Sequence, residues 1–288
     1  VYREGSRSHE DVSMEFARVG FRGTLPGTRP ARRLVAIPAV LLVLLAGGCA
    51  ERNPDPVPAE AATPSSTVDL STLPEATTFG RTPRAPRDPD PQGTTDGVVL
   101  RVEQDIAVYD SVRGKAIARL PARQFKSPTW VPIVAERGDW ARVLLPSRPN
   151  GSTGWVRADS DRVHKARSRH VVNVDVDARR LVVLEDGREI GSWKVGVGKE
   201  DSPTPLGRTF ILASIRETVT DYSPIILPLG THSETFTTYG GGPGTVALHG
   251  WPDPGVFGTA SSDGCVRVPA DALSLLRSLP LGTLVRLR

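Results

Sequence analysis

Two cysteines and five histidines in 288 residues leave little room for metal chemistry. The cysteines lie far apart and in unlike contexts. Cys49 follows Ala46-Gly47-Gly48, and Cys265 sits in Ser261-Ser262-Asp263-Gly264-Cys265-Val266-Arg267. No His-x-x-x-His pair joins them, so no metal set and no cofactor are expected. For the same reason Cys265 is expected to lack an intramolecular disulfide partner and to be free to react. No uncharged apolar run reaches the roughly 20 residues a membrane-spanning helix needs. There is no internal repeat and no basic stripe interleaved with aromatics. A net charge of +4 and a pI of about 9.3 therefore point away from nucleic acid. They suit a polymer that carries carboxylates, because opposite charge favours encounter.

What is present changes character along the chain. Residues 1–33 form an extension that ends in a basic stretch containing Arg29, Arg32 and Arg33. Residues 34–48 are uncharged and almost wholly apolar, the pattern of an export signal. The small residues before Cys49 resemble a bacterial lipobox. That resemblance implies cleavage before Cys49 and a lipid there, tethering an exported protein to the outer face of the membrane. Ordinary signal cleavage with Cys49 as a bystander is the alternative. Residues 50–96, rich in Pro, Ala, Thr, Asp and Ser, read as a disordered, semi-rigid spacer.

From Gly97 to about residue 166, short β-type runs alternate with turn signals such as Arg137-Gly138-Asp139 and Pro149-Asn150-Gly151. The runs Gly138-Asp139-Trp140-Ala141-Arg142-Val143 and Gly154-Trp155-Val156 resemble a bacterial SH3-type module. Trp140 and Trp155 are expected to serve as core and rim packing, with a wall-binding groove as the alternative.

From residue 170 to 288 the patterning predicts a three-stranded meander, over 170–176, 179–184 and 190–197. A turn at 204–207 then leads into another strand, and a short strand ends at His249. Ala272, Leu275, Leu276 and Leu279 recur at helical spacing, with Pro269 near the start and Leu281-Gly282 at the end. A last strand covers 283–287. The expected fold is mainly β: a small barrel-like module, then a β-rich domain with one prominent helix.

A thiol and an imidazole are the minimum parts of a nucleophilic acyl-transfer site. His249 at a strand end can take the proton of Cys265 if the loop 251–260 folds back. Gly264 has no Cβ, so its backbone can adopt positive φ and approach a carbonyl. Backbone N–H groups at 264–265 are then expected to form an oxyanion hole. Arg267 either holds a substrate carboxylate or braces the loop. With Trp251 and Ser262 it is expected on the substrate side. His232, in a polar loop, reads as a solvated or rim histidine. His9, His164 and His170 have no motif around them.

The Thr204-Pro205-Leu206-Gly207 turn, Gly241-Gly242-Pro243-Gly244, His249-Gly250 and Ser262-Asp263-Gly264-Cys265-Val266-Arg267 together resemble the L,D-transpeptidase (YkuD) catalytic domain. The resemblance covers about 170–288. It implies a cysteine acyltransferase acting on peptidoglycan stem peptides, with the Gly250 carbonyl orienting His249. It also implies 3-3 cross-links made through a Cys265 thioester with release of D-Ala, and sensitivity to carbapenems. Trimming by water, wall attachment of a protein, and a degenerate wall-binding lipoprotein are the alternatives. Papain-like peptidases place Cys before His and fit less well. One departure stands out: Asp263 occupies the position where many members of the family have His.

Overall fold

The computed structural model describes residues 68–218, 222–239 and 242–288. The apolar run at 34–48, Cys49 and residues 50–67 lie outside them. The described residues are mostly β, with one α-helix among them.

The first lobe contains β1 (Val98–Val102), β2 (Ile106–Tyr109), β3 (Ala116–Leu120) and a short hairpin, β4 (Arg123–Gln124) and β5 (Ser127–Pro128). It continues with β6 (Trp130–Arg137), β7 (Trp140–Leu144), β8 (Thr153–Arg157) and β9 (Val163–Arg167). Apart from the hairpin, these strands make one seven-stranded sheet in the order β3-β2-β8-β7-β6-β1-β9. The alternation of Leu100 and Val102, or of Ala141 and Val143, puts their side chains on the buried face. Trp140 is buried against Tyr109, ring centroids 5.1 Å apart, whereas Trp155 is only half-buried.

The second lobe opens with the expected meander: β10 (His170–Asp175), β11 (Arg180–Glu185) and β12 (Arg188–Lys194). There follow β13 (Val197–Gly198), β14 (Gly207–Phe210), β15 (Ile215–Arg216), β16 (Ile225–His232), β17 (Thr245–His249), β18 (Ala260–Ser262) and β19 (Val266–Arg267). Helix α1 (Ala270–Leu276) and β20 (Leu284–Leu287) close the chain. One sheet runs β12-β11-β10-β20-β14 and a second runs β15-β16-β17-β19. Between them lies an apolar core that includes Val172, Val174, Leu181, Leu227, Leu248, Val266 and Leu276. The helix stops at Leu276, short of the Leu281-Gly282 expected from spacing. Pro280 disfavours helical backbone at Leu279, and the Ser278 hydroxyl donates to the Leu275 carbonyl at 2.6 Å, closing the last turn.

The expectation of a disordered spacer over 50–96 fails for residues 68–96, which are packed against both lobes. Ala76, Thr78 and Thr82 are nearly inaccessible to solvent. The Asp88 carboxylate receives Arg208 Nε at 2.6 Å and Nη2 at 2.7 Å. Arg286 donates to the Gln92 carbonyl. This segment has too few apolar residues for a core of its own. It is ordered largely by hydrogen bonds and ion pairs to residues of both lobes, among them Arg119, Arg148, Gly151 and Arg208. The two lobes also share apolar packing: Phe210, Leu212 and Leu284 belong to the same apolar cluster as Leu100, Val131 and Val143 of the first lobe.

Candidate active site

Strands β17 and β19 run parallel, with Leu248 opposite Val266 and His249 opposite Arg267. Leu248 and Val266 are fully buried in the core. Side chains alternate faces along a strand, so His249 and Arg267 project from the other face. Cys265, one residue before Val266, projects with them and lies diagonally across from His249. Register alone thus gathers the thiol, the imidazole and the guanidinium on one surface. The loop between the strands returns through a 3-10 turn at Pro254–Val256, capped by Asp253, whose carboxylate accepts from Gly255 N–H at 2.8 Å.

His249 is 7% exposed. Its Nδ1 lies 2.8 Å from the Gly250 carbonyl oxygen. A carbonyl only accepts, so Nδ1 carries the proton and Nε2 offers its lone pair. Burial pushes the imidazole pKa down to about 4, with the nearby Arg267 charge adding to the effect and the Gly250 carbonyl opposing it. The Gly250 backbone is also anchored on its N–H side. Its N–H donates to Ser223 Oγ at 2.8 Å, and the Ser223 hydroxyl donates to the Ile225 carbonyl at 2.6 Å. Tyr222 meets the imidazole edge-on at 5.1 Å, and Trp251 lies at 6.0 Å. Sequence reasoning missed Ser223 and Tyr222, since neither stands in a motif.

Cys265 is a free thiol, half-buried. Burial raises its pKa above the ordinary value. The Asp263 charge adds to this, while a hydrogen bond from the Ala247 backbone and the Arg267 charge oppose it. Among the described residues the sulfur makes no hydrogen bond to His249. Burial thus disfavours the charged form of each group taken by itself.

Gly264 adopts φ +113°, where an L side chain is strained, and this bends the chain so that Cys265 faces the site. Ser262 corrects an expectation. It is 1% exposed, its hydroxyl donates to the Cys265 carbonyl at 2.6 Å, and it receives the Gly264 N–H at 3.2 Å. It is a brace inside the loop, with no free group for substrate. The Gly264 N–H, expected in an oxyanion hole, is occupied by the same brace. The Gly264 carbonyl accepts from Thr204 Oγ1 at 2.9 Å, which ties the Cys265 loop to the 204–207 turn. Asp263 bonds Lys199 Nζ at 2.7 Å, and that partner is the main reason its carboxyl is held below the usual range.

Arg267 stacks on Trp251, its guanidinium carbon 3.8 Å from the ring centroid. His232 corrects another expectation. It is 0% exposed, with Nε2 at 2.7 Å from the Thr78 carbonyl and its backbone N–H donating to Asn150 Oδ1 at 2.9 Å. It therefore packs where the 68–96 segment, the first lobe and the second lobe meet. Burial pushes its pKa down to about 4. Among the described residues no cluster of three or more His, Cys, Asp or Glu is placed to hold a metal ion.

Residues 169–287 match the family model described as YkuD, the L,D-transpeptidase catalytic domain. No curated protein matches the chain. Among solved structures it is similar to an L,D-transpeptidase from Mycobacterium smegmatis, at 16% identity and a TM-score of 0.38, covering 55% of this chain and 82% of that one. It is also similar to L,D-transpeptidase 3 from Mycobacterium tuberculosis in complex with a faropenem-derived adduct, at 16% identity and a TM-score of 0.36, covering 49% and 75%. An L,D-transpeptidase from Xylanimonas cellulosilytica aligns at 23% identity and a TM-score of 0.32, covering 43% and 62%.

Proposed function

Because residues 169–287 form a YkuD-type L,D-transpeptidase catalytic domain, we propose that this enzyme cross-links peptidoglycan stem peptides through a thioester on Cys265. The observation that carries the reading is the shared face of β17 and β19, with Cys265 diagonal to an imidazole whose Nε2 is free to accept a proton.

As Cys265 Sγ attacks the carbonyl of the third residue of a donor tetrapeptide, its proton passes to His249 Nε2. The resulting imidazolium gives that proton to the departing D-Ala nitrogen. An amine of a second stem then attacks the thioester, His249 takes a proton from it, and the thiol is restored. The acyl-bond energy is conserved in the thioester, so the cycle runs without ATP. Imidazolium is unfavourable in a buried site. The Gly250 carbonyl stabilises it from the Nδ1 side. The Cys265 N–H, which has no acceptor among the described residues, is the loop donor left to meet the developing oxyanion. Water as the acceptor in place of the amine would give trimming by the same residues.

We place the enzyme outside the cell membrane, tethered by a lipid at Cys49. Its wall substrate and the small-residue run before that cysteine support this placement.

Muropeptide mass analysis with the full chain tests the reaction. Wild type is expected to release D-Ala from tetrapeptide stems and form 3-3 dimers, and Cys265→Ala is expected to do neither. Absence of both products with wild type overturns the reading. Radiolabel in the membrane fraction that disappears in Cys49→Ala tests the tether.

A further inference from the structure

Arg267 is packed along its stem and across its guanidinium face, yet its head group is sparsely hydrogen-bonded. Its stem lies flush against Gly196, where an added Cβ would come within 3.3 Å of Arg267 Cβ and 3.6 Å of Cδ. Its backbone N–H donates to the Gly196 carbonyl at 2.8 Å, and its own carbonyl accepts from Gly196 N–H at 2.9 Å. The guanidinium is stacked on Trp251. Yet its Nε is buried without a partner, and Nη1 has only long contacts to Ser261, 3.5 Å to the carbonyl and 3.4 Å to the hydroxyl. No carboxylate pairs with it among the described residues. An arginine fork fixed in place but lacking its anion is preorganised for one.

The register says which anion. Arg267 stands opposite His249 and two residues beyond Cys265, roughly 6.6 Å along the strand at about 3.3 Å per residue. His249 protonates the departing nitrogen, so the leaving group lies on the His249 side of the sulfur. The carboxylate of a departing terminal residue is three bonds from the attacked carbonyl carbon and falls on that same side. The second carboxylate of a diamino acid belongs to the acyl part and lies away from it.

We propose that Arg267 binds the terminal carboxylate of the departing residue and so confines the enzyme to the last peptide bond of a stem. This rests on the acyl-transfer reading above. A bidentate charge-assisted pair forms only when the chain ends there. A stem extended by another residue leaves the guanidinium facing a neutral amide.

The test separates recognition from turnover. In the Cys265→Ala full chain, binding of a tetrapeptide with a free C-terminal carboxylate is compared with binding of its C-terminal carboxamide. The carboxylate is expected to bind at least tenfold more tightly. Adding Arg267→Gln should bring the two within about twofold, and Arg267→Lys should retain part of the preference, with thermal unfolding confirming that each variant is folded. Equal binding of acid and amide by Cys265→Ala overturns the proposal, even if wild type cross-links stems. So does an equal loss for both ligands in Arg267→Gln, which is the signature of a brace. A carboxylate preference that depends on Arg267, in an enzyme that yields no thioester or cross-link, keeps the carboxylate site and removes the acyl-transfer reading instead.

Discussion

Asp88 and Arg208 form a two-point ion pair in which each side chain is only 3% exposed. It joins the 68–96 segment to β14, and breaking it leaves a buried charge without its counterion. Asp88→Asn or Arg208→Met is expected to cost about 3–5 kcal/mol. The double variant Asp88→Asn/Arg208→Met should cost less than the sum, because no lone charge remains. Urea denaturation of the four proteins in a double-mutant cycle measures the coupling.

Acid should destabilise the fold in a window set by two histidines. His232 and His249 are held neutral, each pKa lowered from 6.5 to about 4. The unfolded chain therefore binds more protons between those values. The stability they contribute is complete above about pH 6.5 and is lost as pH falls toward 4, at up to about 3 kcal/mol per histidine. His232→Gln should flatten roughly half of that slope while leaving the nucleophile untouched. Melting temperature between pH 7 and pH 4.5 reads the difference, and an unchanged slope in His232→Gln would contradict the assignment.

The thiol should behave as a thiol at neutral pH. Its pKa is raised, chiefly by burial. Alkylation of Cys265 by iodoacetamide should be slow at pH 7 and should climb about tenfold per pH unit toward alkaline pH. A flat rate from pH 6 upward would instead reveal a preformed thiolate–imidazolium pair.

Asp263 and Lys199 should move that reactivity in opposite directions. The Asp263 charge adds to the upward shift of the thiol. Asp263→Asn should therefore lower the thiol pKa and speed alkylation at pH 7 several-fold. Lys199→Ala uncovers the carboxylate and should slow it.

Gly264→Ala tests the bend at the nucleophile. A Cβ there would meet nothing closer than 3.6 Å, so crowding is not the difficulty. Positive φ is: the backbone should lose about 1–2 kcal/mol or relax away from +113°. Relaxation would swing Cys265 out of line with His249, so turnover should fall more than stability.

Much of the second lobe was legible in the sequence because its signals are local. Period-two alternation marks β10 and β11, and short motifs around His249-Gly250 and Gly264-Cys265 pointed to the residues that β17 and β19 bring side by side. What escaped was long-range and polar. Thr78 contacts His232 across 154 residues, and nothing in a Pro- and Thr-rich stretch announces a buried partner. Ser223 lies in no motif, and its role appears only when β16 and β17 bring it beneath Gly250. Ser262 lay inside the motif and was still misread, since a hydroxyl beside a nucleophile looks the same whether it faces substrate or the loop's own carbonyl. The helix ran too long in prediction because Leu279 keeps the apolar period after the backbone has already turned.

Phe210, Leu212 and Leu284 insert from the second lobe into the apolar cluster of the first. A pair of lobes welded in this way is inherited as one object. Cutting between the halves would expose apolar surface on both, so neither is expected to keep its fold when transplanted alone.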